Sequence, residues 1–175
     1  MLYLSWVMLM CTGVSFDAGT ACCFSGHRFI KNSDLELIKK NLIEIIKNLY
    51  AEGFRVFLSG GAIGFDTMAA EAVISLRNQL EDIRLVMALP CRNQDIKWTA
   101  GQKRLYNKVL SLADEVIYVS ESYTAGCMHK RNRFMVDSSS AVVTYITHMG
   151  GGTAYTLNYA LNTGGRRIIN VLTMQ

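Results

Sequence analysis

Three short segments of this chain combine glycine with side chains that donate to anions. The first is Ser25-Gly26-His27-Arg28. Gly26 lets the backbone turn sharply, and His27 and Arg28 then aim donors at one point. The second is Ser59-Gly60-Gly61-Ala62-Ile63-Gly64-Phe65-Asp66, and the third is Gly150-Gly151-Gly152-Thr153-Ala154-Tyr155-Thr156. In both, glycines leave backbone N–H groups uncovered just ahead of a helical pattern, whose positive end favours an anion. A phosphate there gains about 0.3–1 kcal/mol from the helix dipole, and each charge-assisted hydrogen bond adds about 1.5–3 kcal/mol. Thr153 suits a helix N-cap and can also donate its hydroxyl to a phosphate. The chemistry on offer is phosphate binding at two junctions. Neither junction reads GxGxxG or GxxxxGK[ST], so a nicotinamide dehydrogenase or a P-loop enzyme lacks its fingerprint.

Other residues extend that reading. Asp66 either caps its helix or hydrogen-bonds a ribose hydroxyl. Lys130, Arg131 and Arg133 form the one tight basic cluster in a motif-bearing region, either a solvated face or a neutraliser of phosphate. Phe65, Trp98 and Tyr155 can stack on a base or fill the core. The histidines His27, His129 and His148 show no HExxH spacing, and Cys127 with His129 lacks two further ligands, so no metal site and no cofactor are expected.

These segments need strands that end at them and helices that start from them. Residues 21–25 form a short apolar run before Gly26, which reads as a buried strand. From Ser33 the period changes: Ser33 with Glu36 makes a capping-box pattern, and Leu35, Ile38, Leu42, Ile45, Ile46 and Leu49 recur at helical spacing. Strands are expected over 55–58, 83–89, 115–119, 141–146 and 167–172. Further helices are expected over 66–80, 102–112, 128–138 and 153–162. Strands alternating with helices at this spacing define an α/β fold: a single Rossmann-like three-layer domain with a mostly parallel sheet. Ligands of such sheets sit at the carboxyl ends of the strands, where the chain order reverses.

With 175 residues, the chain fits one domain that can bury a sizeable core without disulfides. Half the residues are hydrophobic, yet no stretch is apolar for about 18 residues without a break, so no membrane partner is expected. The net charge of +4 suits a phosphate-bearing ligand and is too small to call for nucleic acid. Five cysteines without a CxxC fit reduced thiols in the cytoplasm. Residues 1–20 read as an apolar N-terminal extension ahead of a nucleotide-binding domain over 21–175. The first basic side chain is Arg28, so this extension lacks the charged start of a signal peptide.

Taken together, the motifs resemble those of the YpsA-like branch of the SLOG superfamily. The residues that carry the resemblance are Cys23 through Arg28, Ser59 through Asp66, Leu89-Pro90-Cys91, Gln94, Trp98, Gly126-Cys127-Met128, Arg131-Asn132-Arg133 with Met135-Val136-Asp137, and Gly151 through Thr156. SLOG relatives include the single-stranded-DNA-binding DprA proteins and the Lonely Guy nucleotide phosphoribohydrolases. The resemblance implies a Rossmann-like fold and a nucleotide-type ligand, and for this branch it implies no particular reaction. Two positions depart. Phe29 stands where the branch usually has proline, and Thr156 falls where the PGGxGTxxE motif of the Lonely Guy enzymes places its catalytic glutamate.

The expected ligand-binding set is Gly26, His27, Arg28, Ser59, Gly60, Gly61, Ala62, Gly64, Asp66, Arg131, Arg133, Gly150, Gly151, Gly152, Thr153 and Tyr155. The expected function is that of a sensor or sequestering protein for a nucleotide or nucleotide-derived phosphate ligand. Two alternatives stand beside it: an N-glycosidic hydrolase of the Lonely Guy type, with Asp66 or Asp137 as the acid, and a DprA-like single-stranded DNA binder. Mononucleotide, dinucleotide and homodimer all stay open.

Overall fold

The computed structural model describes residues 16–174, so most of the expected apolar extension, including residues 1–14, lies outside the described residues. Six strands form one sheet: β1 (Ala21–Gly26), β2 (Val56–Ser59), β3 (Arg84–Leu89), β4 (Glu115–Tyr118), β5 (Ala141–Tyr145) and β6 (Arg167–Asn170). Five helices connect them: α1 (Leu35–Ala51), α2 (Phe65–Leu76), α3 (Ala100–Leu112), α4 (Cys127–Asp137) and α5 (Gly151–Thr163). The strand order is β4-β3-β2-β1-β5-β6, and every pairing is parallel. The sheet is therefore wholly parallel.

Side chains alternate between two cores, as a parallel sheet covered on both faces requires. Cys22 and Phe24 of β1, Leu85 and Met87 of β3, and Val143 and Tyr145 of β5 join the apolar stripes of α1, α2 and α3. Ala21 and Cys23, Val86 and Ala88, and Val142 point to the other face, where Met135 and Val136 of α4 and Ala160 of α5 cover them. No helix among the described residues is long and apolar enough to cross a membrane.

Local capping departs from the sequence pattern at three points. Ser33 donates its hydroxyl to the Asp34 carboxylate, and a 3₁₀ turn, Asn32–Asp34, precedes α1, so the Ser33/Glu36 box is not made. The capping box that does form joins Thr99 and Gln102, which starts α3 at Ala100 rather than Gln102. Gly150, not Thr153, is the N-cap of α5, and Thr153 is buried in its first turn.

The described end of the N-terminal extension packs on the fold. Phe16 is buried with Ala21, Cys23 and the inner face of α4. Asp17 caps the 3₁₀ turn Ala18–Thr20, and Ser140 donates to the Gly19 carbonyl. Removing a buried phenyl group costs about 3–5 kcal/mol, less where the site can collapse. Phe16→Ala is expected to lower stability by roughly 3 kcal/mol, read as a shifted urea midpoint at unchanged slope. An unchanged midpoint would mean that the domain ends at Ala21.

Candidate functional site

The direction of the chain reverses between β1 and β5. β1 leads out through β2 and β3 to the β4 edge, and α4 then carries the chain back to β5 on the other side of β1. The loops after β1 and β5 part at this point and leave a cleft of about 480 Å³, within the roughly 300–1,000 Å³ typical of small-ligand sites. Its lining includes Gly26, His27 and Arg28 after β1, Ala62 and Asp66 from the β2–α2 junction, and Gly150, Gly151, Gly152 and Thr153 at the start of α5. Met128, His129, Arg131, Asn132 and Met135 enter from α4.

The β1 loop lies on the start of α2. His27 donates its N–H to the Tyr145 carbonyl, and the Phe65 N–H donates to the His27 carbonyl. Gly64 has a φ of +89° and approaches the Arg28 carbonyl so closely that a Cβ would sit 2.2 Å from its oxygen. Only glycine fits there, for conformation and for space.

Arg131 is the buried charge of the site. Its Nη1 donates to the carbonyls of Gly60 and Ala88, and its Nε donates to the Asn132 side chain. A Cβ on Gly60 would lie 1.9 Å from Nη1, so that glycine exists to admit the guanidinium. Burial lowers the Arg131 pKa, opposed by the Asp66 carboxylate. Asn132 in turn reaches the Gly152 carbonyl at 3.5 Å and ties the arginine to the α5 loop.

Asp66 sits in the first turn of α2 but does not act as its cap, a place Gly64 takes. Its carboxylate accepts instead from the Gly26 N–H at 3.3 Å, across 40 residues of sequence. Burial pushes its pKa up to about 6, and Arg131, the backbone N–H groups and Arg28 pull the other way. His27 and His148 stack in parallel with centroids 4.1 Å apart. Nε2 of His27 is buried and has no hydrogen-bond partner among the described residues, and burial, then the His148 charge, lowers the His27 pKa.

The expected set divides. Gly26, His27, Arg28, Ala62, Asp66, Arg131 and Gly150 through Thr153 meet at the cleft. Ser59, Gly60, Gly61, Gly64, Arg133 and Tyr155 do not line it. Ser59 donates to the Asp66 carbonyl and supports the loop from below. Gly61 faces Met87, Leu89 and Gln94 on the opposite side. Arg133 donates to the Tyr155 hydroxyl, and the Tyr155 ring stacks on His129 outside the cleft. Asp137 accepts from Tyr159 at the far end of α4, so it is no acid for this cleft. Thr156 lines the cleft, with its hydroxyl donating to the Gly152 carbonyl. Phe65 is core, packed against Phe24 and Tyr145. Met128, Asn132 and Met135 belong to the cleft although they were absent from the expected set; helical spacing from Arg131 (three before, four after) would have found Met128 and Met135, whereas Asn132 joins them through its bond to the Arg131 Nε.

A wholly parallel α/β sheet with its cleft at the switch point and buried polar groups facing that cleft defines a Rossmann-like α/β protein. Residues 26–175 match the YspA SLOG family, and the chain belongs to that family. The uncharacterized SPbeta prophage-derived protein YoqJ of Bacillus subtilis is 33% identical over 147 residues, covering 77% of this chain and 86% of YoqJ. Among solved structures, the chain is similar to DNA processing protein A (DprA) of Streptococcus pneumoniae, with a TM-score of 0.64, 19% identity and 87% of this chain covered. The match spans only 50% of that longer protein. DNA processing protein A of Helicobacter pylori, described with its single-stranded DNA binding mode, matches with a TM-score of 0.63 and 18% identity over 87% of this chain and 65% of its own. These two likenesses show the fold alone.

Asp66 makes the fold sensitive to pH in a definite direction. Its folded pKa lies above its ordinary value of 3.8, so its contribution to stability is complete below that value and is lost as the pH rises through about 6. A shift of about two units corresponds to roughly 3 kcal/mol. Asp66→Asn keeps an acceptor for Gly26 and removes the charge, so it is expected to stabilise the chain at pH 7.5 by on the order of 1–3 kcal/mol. The gain should vanish near pH 4 in urea titrations. A wild-type-to-variant difference that stays constant between those pH values would contradict this assignment.

Proposed function

We propose that this chain binds a nucleotide or a nucleotide-derived phosphate ligand in the β1–β5 cleft, as a sensor or sequestering protein of the cytoplasm. One observation carries the reading: Arg28, Arg131 and the N-terminus of α5 converge on a single cleft at the switch point of the sheet. The start of α5 offers N–H groups and the positive end of its dipole to a phosphate. Arg28 is exposed at the rim and free to swing onto it, whereas Arg131 is held rigid and supplies a fixed field. Asp66 and Asn132 add a carboxylate acceptor and a side-chain amide to the same lining. The buried free thiols of Cys22, Cys23, Cys91 and Cys127 fit a reducing compartment.

Asp66 favours one second reading. A carboxyl group with a pKa of about 6 facing a ligand cleft is poised to give or take a proton near neutral pH. On that reading the chain cleaves an N-glycosidic bond, with Asp66 in place of the glutamate that the Thr156 position lacks.

A Cβ on Gly152 meets nothing nearer than the Asn132 amide nitrogen, at 3.8 Å. Gly152→Val should therefore fold and yet fill the phosphate position. Isothermal titration with AMP and ADP-ribose is expected to show binding by wild type and at least a 100-fold loss in the variant. Equal binding by both proteins would remove α5 from the site. Nanomolar binding of an oligonucleotide at physiological salt would favour a DprA-like reading instead.

Long incubation with AMP, NAD and ADP-ribose separates binder from hydrolase. The binder reading expects intact ligand by liquid chromatography. Free base released by wild type and reduced at least 100-fold in Asp66→Asn would establish the hydrolase.

A further inference from the structure

A second cleft, of about 260 Å³, opens on the opposite side of the His27–Arg28 segment, between the starts of α1, α2 and α3. It is mainly apolar, with Ile30, Ile63, Met68, Trp98 and Leu105 in its lining. Among the described residues, Arg28 alone lines both clefts. An exposed arginine on the shared rim of a polar cleft and an apolar one is placed to hold a linking phosphate.

The walls of the second cleft suit a flat aromatic ring. Trp98 is held edge-on by Tyr106, with centroids 5.2 Å apart, and the Tyr106 hydroxyl accepts from Gln94, so the indole is braced from behind. Gln102 spends its amide oxygen on the Thr99 N–H in the capping box, while its amide nitrogen makes no bond to the protein among the described residues. The Glu71 carboxylate, 3.9 Å from Lys108 Nζ, stands on the same rim, so beside Arg28 the cleft presents an amide donor and a carboxylate acceptor over an apolar floor. That combination recognises the edge and the face of a heterocyclic base.

We infer that the ligand is two-headed: a pyrophosphate-linked dinucleotide whose phosphates lie on Arg28 and whose second base enters the cleft beside Trp98. The inference rests on the nucleotide reading of the first cleft and extends it. A mononucleotide fills only the polar cleft. ADP-ribose reaches Arg28 with both phosphates but has no second base to place. The affinity difference between a dinucleotide and ADP-ribose therefore measures the second cleft alone.

The test uses the full chain and three probes: AMP, ADP-ribose and diadenosine diphosphate. Wild type is expected to bind diadenosine diphosphate at least tenfold more tightly than ADP-ribose. Leu105 is exposed on α3, so Leu105→Glu should fold and place a charge in the second cleft. In that variant the dinucleotide is expected to fall to the affinity of ADP-ribose, while AMP binding stays as in wild type. Met68→Glu, from the facing wall, is expected to act alike. Equal affinity of wild type for ADP-ribose and diadenosine diphosphate would overturn the two-headed ligand and leave the first cleft standing. A dinucleotide advantage that survives both glutamates would also overturn it. Binding of none of the three probes would sink the nucleotide reading together with this one.

Discussion

A buried guanidinium organises the functional end of this fold. Taking a cation out of water costs several kcal/mol unless hydrogen bonds and an opposing charge replace its hydration. Arg131 meets that demand with the carbonyls of Gly60 and Ala88, the side chain of Asn132 and the field of Asp66. Each partner is then constrained in turn. Gly60 has no room for a side chain, and Asp66 is drawn into the interior. Asn132 reaches the Gly152 carbonyl at 3.5 Å and so links α4 to the α5 loop. Loops at the ends of three different strands are thereby fixed around a single charge.

That arrangement explains why the cleft is polar without being strongly basic. Arg131 spends much of its donor capacity on the protein, and the Asp66 carboxylate stands beside it. What remains for a ligand is a shaped field, one free arginine at the rim and the N–H groups of α5. A long polyanion would be served better by a row of exposed cations; the compact, sugar-bearing anion that we propose needs no such row.

The two sides of the sheet divide the work. On one side, α1, α2 and α3 cover the larger core and leave the apolar depression that holds Trp98. On the other, α4 and α5 cover a smaller core and open the polar cleft above it. The β1 loop runs between them and is pinned to α2 by Gly64. Arg28 therefore faces both environments because of where the chain must cross, and any ligand long enough to bridge them passes over it.

Much of this was legible in the sequence because it depends on local order. Short apolar runs and period-3.6 patterning placed six strands and five helices, and the glycine runs marked the junctions where strand ends meet helix starts. Those junctions put Gly26 to Arg28, Asp66 and Gly150 to Thr153 at one end of one sheet. Distant contacts decided the rest. Arg131 and Arg133 look equivalent in sequence, yet residues two apart on a helix point about 200° from each other. Only the packing of α4 on the sheet sends Arg131 inward and leaves Arg133 with Tyr155. Gly61 looked like part of the cradle, but the turn of the loop faces it toward Met87 and Leu89. Asp66 looked like a helix cap until the β1 loop supplied the Gly26 N–H from 40 residues away. Sequence patterning reports which face of an element is buried, whereas what lies against that face is set by chain segments that meet only when the sheet has formed.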